Sequence, residues 1–160
     1  MIPPALQEGY KDFHKDLSRA IETERHVALI IAKALSCEAI EFRNDNKYDV
    51  AFKRNKDGSI FTVEIKEDFG ANRTGNIAIE YSCRGKDSGI TVSQADFYLY
   101  KVHTSSGIKH FMMRTETLKR AIREKKFFRS VNGGDKGSNS LCYLFKVFEI
   151  EKISKNIYTM

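Results

Sequence analysis

The residues best placed to do chemistry in this chain are Asp49, Glu64 and Lys66. In the run Phe61-Thr62-Val63-Glu64-Ile65-Lys66, a strand turns Phe61, Val63 and Ile65 to one face and Thr62, Glu64 and Lys66 to the other. A carboxylate and an ammonium then share one surface. Upstream, Tyr48-Asp49-Val50-Ala51-Phe52 reads as another strand, with Tyr48, Val50 and Phe52 on one face and Asp49 on the opposite one. Asn55-Lys56-Asp57-Gly58 between them is a hairpin signal, because Asp-Gly supplies the positive φ angles of tight turns. Closing that hairpin brings Asp49 to Glu64. Two converging carboxylates beside a lysine suit a hard divalent cation such as Mg²⁺ or Mn²⁺, which takes oxygen ligands and leaves room for water and phosphate oxygens. Such an ion lowers the pKa of a bound water and neutralises charge building on a phosphate, while the lysine orients or stabilises the nucleophile. The reaction implied is hydrolysis of a phosphodiester. The plainer alternatives are a solvated Asp49 on a half-exposed strand and a surface ion pair between Glu64 and Lys66. The occurrence of all three at hairpin spacing favours a site.

At these residues the chain resembles the PD-(D/E)XK nuclease superfamily: Asp49, then Glu64-Ile65-Lys66, with Tyr48 where the motif's name has proline. The likeness spans Ile21 to Lys101. Within that superfamily, Thr74-Gly75-Asn76-Ile77-Ala78-Ile79-Glu80-Tyr81, Arg84-Gly85-Lys86 and Ser88-Gly89-Ile90 resemble small phage-encoded nucleases, some of them related to Holliday-junction resolvases. The resemblance implies one restriction-endonuclease-like α/β domain over residues 1–160, a central mixed β-sheet flanked by helices. It also implies Mg²⁺- or Mn²⁺-dependent DNA cleavage in which Asp49, Glu64 and the Ile65 carbonyl hold the metal and Lys66 assists the attack. Branched DNA such as a Holliday junction is the expected substrate. Its two symmetry-related cuts imply a homodimer. An exonuclease is the nearest alternative, and a non-catalytic nucleic-acid-binding module with structural acids is the alternative from another class.

The elements that must position these residues follow from periodicity. Gly9 to Leu35 reads as helical, with Ile21, Ala28, Ile31 and Leu35 on one stripe and Glu24 on the same stripe. A carboxylate on a buried face needs a partner. Either Glu24 sits at the stripe's edge and pairs with Arg25, Lys33 or solvent, or it reaches the metal from the first helix, as a glutamate does in resolvase-like members of the family. Glu22, on the more polar side, competes for that role. Cys37 to Arg43 reads as a first strand, with Asn44-Asp45-Asn46 as a turn in which Asp45 is a loop or capping residue. Glu67 to Asn76 reads as a loop carrying Arg73, a candidate phosphate contact. Asn76 to Cys83 alternates as a strand, with Ala78, Glu80 and Ser82 on one face. If it lies beside the strand of Glu64, Glu80 becomes a further ligand or the general base for the attacking water.

Arg84-Gly85-Lys86-Asp87-Ser88-Gly89 is a basic, glycine-bearing loop, and Arg84 and Lys86 are candidate contacts to the DNA backbone. Val92 to Ala95 reads as a short helical or turn segment. Ala95 to Lys101 reads as a strand whose aromatics Phe97, Tyr98 and Tyr100 belong to a core more often than to a base-stacking surface. Ile108 to Arg114 is a further strand. A helix starting at Thr115 carries the basic run Lys119, Arg120, Arg123, Lys125, Lys126 and then Arg129, either a solvated face or a backbone-binding patch. Asn132 to Ser140 is a glycine-rich loop without the ending of a phosphate-binding P-loop. Leu141 to Ile150 reads as a terminal strand and Glu151 to Met160 as a tail.

Composition sets the outer bounds. A chain of 160 residues, 41% hydrophobic and 30% charged with 2 prolines, is sized for one globular domain with a real core. Twenty-seven Lys and Arg against 21 Asp and Glu leave a net charge of +6, which favours a polyanionic partner. No apolar run approaches a membrane span, and Met1-Ile2-Pro3-Pro4 begins no signal peptide. Cys37, Cys83 and Cys142 are widely spaced and form neither a zinc pattern nor a disulfide framework. That points to a reducing cytoplasm, a host cell's if the chain is phage-encoded. His14, His26, His103 and His110 show no ligand spacing, which argues against a histidine-held metal.

Overall fold

In a computed structural model describing residues 4–43, 45, 47–133 and 139–157, with side chains from Ser18 onward, the chain opens with a long helix, α1 (Pro4–Leu35). Three strands follow: β1 (Cys37–Phe42), β2 (Val50–Arg54) and β3 (Ile60–Asp68). A single-turn helix α2 (Ala71–Thr74) leads to β4 (Asn76–Cys83) and β5 (Lys86–Asp87), and a 3-10 turn at Gly89–Thr91 leads on to β6 (Phe97–Thr104) and β7 (Gly107–Arg114). The rest is α3 (Thr115–Arg123), β8 (Arg129–Gly133), β9 (Ser140–Lys146), α4 (Val147–Ile153) and β10 (Lys155–Asn156). Asn44 and Asn46 of the expected turn, residues 134–138 of the glycine-rich loop, the first three residues and the last three of the tail lie outside the described residues.

The strands form two sheets, one of six in the order β1-β2-β3-β6-β7-β10 and one of four in the order β5-β4-β9-β8. Within the first, β3 and β6 run parallel from Val63↔Phe97 to Asp68↔Val102, whereas β2 and β3 pair antiparallel from Val50↔Val63 to Lys53↔Ile60. The sheet is therefore mixed and the fold α/β, as expected. Parallel neighbours need a crossover between them. Residues 69–96 supply it by passing through the second sheet, so β6 and not β4 is the neighbour of β3.

Each face of the six-stranded sheet is covered. On one, Val27, Ala28, Ile30 and Ile31 of α1 pack against Val50, Phe52, Phe61, Val63 and Ile65, the alternation read from the sequence. On the other, Tyr98, Tyr100, Val102 and Phe111 meet Ile77, Ile79 and Phe145 of the second sheet and Leu118 of α3. Each such buried side chain contributes about 1.5–3 kcal/mol. Tyr98 and Tyr100 are 1% and 3% exposed, so they are core residues and not a base-stacking platform.

Several local expectations change. The α1 stripe is narrower at its ends than its apolar residues suggest, since Ile21 and Leu35 are 45% and 40% exposed. β3 continues through Asp68, where a loop was expected from Glu67, because β6 pairs alongside that far. The helical turn expected at Val92–Ala95 falls earlier, at Gly89–Thr91. α3 ends at Arg123, leaving Lys125 and Lys126 in a turn and Arg129 on β8, so the basic run is no single helical face. The terminal strand stops at Lys146 and α4 replaces its second half: after the register with β4 ends at Asn76↔Lys146, Val147 to Ile153 turns helical and buries Ile150. Among the described residues, no helix is long and apolar enough to cross a membrane.

Candidate active site at the β2–β3 divergence

The hairpin does bring Asp49 to the strand of Glu64. The backbone N–H of Asp49 donates to the Val63 carbonyl at 3.1 Å, and one residue further β2 has no partner to offer β3. The Asp49 side chain takes over: its Oδ2 accepts the Ile65 N–H at 2.7 Å. The two groups of one strand residue point to the same side, so the Ile65 carbonyl faces the same opening as the amide that Asp49 holds. Burial pushes the Asp49 carboxyl above its usual range, against the Ile65 hydrogen bond and the Lys66 charge, which pull it down.

Glu64 lies on the opposite face from Ile65, level with Tyr98 on β6, and is 8% exposed. Its Oε1 is 3.3 Å from Lys66 Nζ. Its Oε2 is buried and has no hydrogen-bond partner among the described residues. Burial raises its pKa, Lys66 opposes the rise and Asp49 adds to it. A buried carboxylate oxygen left without a donor costs at least as much as a lost hydrogen bond.

Glu24 comes from the α1 side and lines a hollow of about 270 Å³ with Thr23, Ile65 and Glu67. It makes no ion pair with Arg25 or Lys33 among the described residues, and the Arg25 guanidinium lies instead over the Phe42 ring at 4.6 Å. Burial, then the charges of Asp49 and Glu64, push the Glu24 carboxyl up to about 7, against the pull of Lys66 and Arg25. The charges of Asp49, Glu64 and Lys66 all act on it, but the hollow it lines holds Ile65 and Glu67 and none of those three. The competing Glu22 is exposed. Asp45 is a loop residue: it takes both Arg43 and, at 3.0 Å, the Lys47 N–H.

Glu80 reaches this region from the second sheet. It shares a cavity of about 190 Å³ with Lys66, Asp68 and Tyr98, and its Oε2 accepts the Ser88 hydroxyl at 3.1 Å. The adjacent turn depends on Gly89, which has φ +53°; a Cβ there would fall 2.1 Å from the Glu80 carbonyl oxygen. Arg73 on α2, Arg84 in the β4–β5 turn and Lys86 on β5 are exposed, and no hydrogen bond or ion pair among the described residues ties them to the acids.

Comparison with protein-family models gave no match to this chain, and comparison with curated proteins gave none. The site is therefore read from its own geometry. Among the described residues, no three His, Cys, Asp or Glu side chains stand close enough together to hold a metal ion. As placed, Asp49 is drawn onto the Ile65 amide and Glu64 onto Lys66. The donor chemistry nonetheless suits a hard cation: carboxylate oxygens, a strand carbonyl and one buried oxygen lacking a donor.

Sequence reasoning missed the groups behind the site. Glu67 accepts the Thr23 hydroxyl at 2.9 Å, lies 2.7 Å from His103 Nε2 and is 3.5 Å from Lys101 Nζ, tying α1 to β3 and β6. The signal was present: extending the alternation of β3 by two residues puts Glu67 on the apolar face, where a carboxylate needs partners. Asp68 anchors the loop that follows, accepting the N–H groups of Gly70, Ala71 and Ala78 at 2.9–3.1 Å.

Proposed function

We propose that this protein is a Mg²⁺- or Mn²⁺-dependent deoxyribonuclease, a structure-selective endonuclease acting on branched DNA such as a Holliday junction, and that it works as a homodimer. The observation that supports it best is the Oε2 of Glu64, which has no hydrogen-bond partner among the described residues and is buried beside Asp49 and within the field of Glu24, with Lys66 the lysine that acts on all three carboxylates. Such a group is unfavourable by itself and becomes favourable once a cation enters. Asp49, Glu64 and the Ile65 carbonyl would hold that cation, with Glu24 beside them.

When bound, the cation would lower the pKa of a water and neutralise charge on the scissile phosphate. Lys66, half exposed beside Glu64, is placed to donate a hydrogen bond to the attacking oxygen or to the phosphate as charge builds there. Glu80, across the small cavity from Lys66, is the candidate to take the proton of the attacking water. Arg73, Arg84 and Lys86 would grip the backbone, in keeping with the net charge of +6. The preference for branched DNA and the dimer come from the resemblance to resolvase-like nucleases.

The test is cleavage of end-labelled four-way junction, flap and linear duplex with Mg²⁺, Mn²⁺ or EDTA, by wild type and Lys66→Ala, with the solution mass measured by sedimentation. Junction cutting that needs metal and is lost in the variant is the expected result. Trimming from ends alone would make it an exonuclease, and tight DNA binding without cutting under any metal would make it a binding module.

A further inference from the structure

The end of the six-stranded sheet remote from the acids carries a second feature. Leu35 lies eleven residues along α1 from Glu24, and Arg54 lies five residues along β2 from Asp49, each a separation of about 16 Å. A groove of about 620 Å³ opens there, and none of the described residues lining it is acidic. Its floor is apolar, formed around Leu35, Met112 and Ile153, and its rim carries Arg54, Arg114, Lys152 and Lys155.

Two of those cations, Arg114 and Lys155, are left unneutralised among the described residues, while Asp57 acts on Arg54 and Glu149 on Lys152. Among the described residues Arg114 and Lys155 make no ion pair, and Lys152, its side chain 65% exposed, pairs with Glu149 at 3.5 Å and lies over the Phe148 ring at 5.0 Å. Arg54 is held by the Ser59 hydroxyl at 3.1 Å and the Phe61 ring. Asp96 and Glu116 line the neighbouring groove and are already engaged, Asp96 by Thr62 and Glu116 by Arg123. Four like charges around a low-dielectric floor focus a positive potential on it.

We infer that this groove docks an acidic peptide segment bearing apolar side chains. Carboxylates of such a segment answer the rim while its Leu-like or Phe-like residues cover the floor, which methionine adapts to readily. A DNA backbone would use the cations and leave the apolar floor wet, because phosphates and sugars offer it nothing to bury. The occupant is therefore a protein partner, and its site stands whether or not the acids at the other end cut DNA.

Fluorescence anisotropy on the full chain tests this, using a fluorescein-labelled synthetic peptide that alternates aspartate pairs with leucine and phenylalanine. Saturable binding is expected. It should weaken about tenfold or more when asparagine replaces the aspartates, when serine replaces the apolar residues, in the Arg114→Glu/Lys155→Glu variant and in Leu35→Asp, which alter exposed positions. Melting temperature and DNA cleavage of these variants should stay at wild-type values. Equal binding of the serine peptide, displacement by short duplex DNA, or no saturable binding would each overturn the inference.

Discussion

Glu64 and Glu67 sit three residues apart on β3 and face opposite sides of the same sheet, and their surroundings could hardly differ more. Glu67 is met by the Thr23 hydroxyl, the His103 imidazole and the Lys101 ammonium. Burial pushes its pKa up, but the hydrogen bonds from His103 and Thr23 and the charge of Lys101 outweigh that and hold the carboxyl below its usual range. Glu64 has one lysine, two acidic neighbours and an oxygen with no donor among the described residues, and its carboxyl is held above the usual range. A carboxylate whose bonds are all made contributes to the fold. One left short of bonds in a buried place costs stability and marks a candidate site for a ligand.

The largest effect expected from this contrast is on turnover. Lys66→Ala and Glu64→Gln should each lower metal-dependent cleavage about 10³-fold or more, read from single-turnover rates. In the absence of metal, Glu64→Gln should nevertheless melt no lower than wild type, because it removes a buried charge that one half-exposed lysine only partly offsets. A marked loss of stability would show that Glu64 belongs with Glu67 as a structural residue.

Next in size, Glu67→Ala strips the clamp and leaves Lys101 and His103 without their acceptor. A loss of about 2–3 kcal/mol is expected, seen as a fall of about 8 °C in melting temperature. Smaller again is the effect of the cation. Millimolar Mn²⁺ should stabilise wild type by about 1–3 kcal/mol at pH 8 if it binds with a submillimolar Kd. The shift should shrink at pH 6, where protons compete for Glu24, and vanish in Glu64→Gln.

The smallest expected effect is the pH dependence of the metal-free protein, in which Glu24 and Glu67, two carboxylates lining one hollow, act in opposite directions. Glu24 titrates near 7 when folded and near its ordinary 4.5 when unfolded, so the unfolded chain ionises first as pH rises. Stability therefore falls between those values, by about 1–2 kcal/mol once solvent screening is allowed for. Glu67 is depressed, so its contribution is present above the unfolded value and lost as pH falls below it. Thermal melts across pH should show Glu24→Gln flattening only the upper limb and Glu67→Ala only the lower one.

The parts of this design that could be read in the sequence are those governed by neighbours along the chain. The alternation of Phe61 to Lys66, the Asp-Gly turn and the α1 stripe depend on local periodicity; the structure keeps the first two and, of the stripe, Ala28 and Ile31 but not Ile21 and Leu35. What escaped was set by distant pairing. That β6 takes the place beside β3 depends on Val63 meeting Phe97, thirty-four residues on. The same pairing extends β3 through Glu67 and Asp68, which local glycines and asparagines made look like a loop. Likewise Val147 to Phe148 has strand propensity, but β4 runs out of length opposite Lys146 and the chain folds Ile150 inward on a helix.

The second sheet is stitched from two stretches far apart in the chain, β4 at residues 76–83 and β9 at residues 140–146. On the ribosome, the hairpin of Asp49 and Glu64 therefore emerges well before the strand that completes the layer over Tyr98 and Tyr100. The nascent chain would carry its acids uncovered for the time it takes to make about eighty residues, roughly 4–16 seconds at about 5–20 residues per second. An amputation after β7 would leave the acids present and the layer above them unfinished.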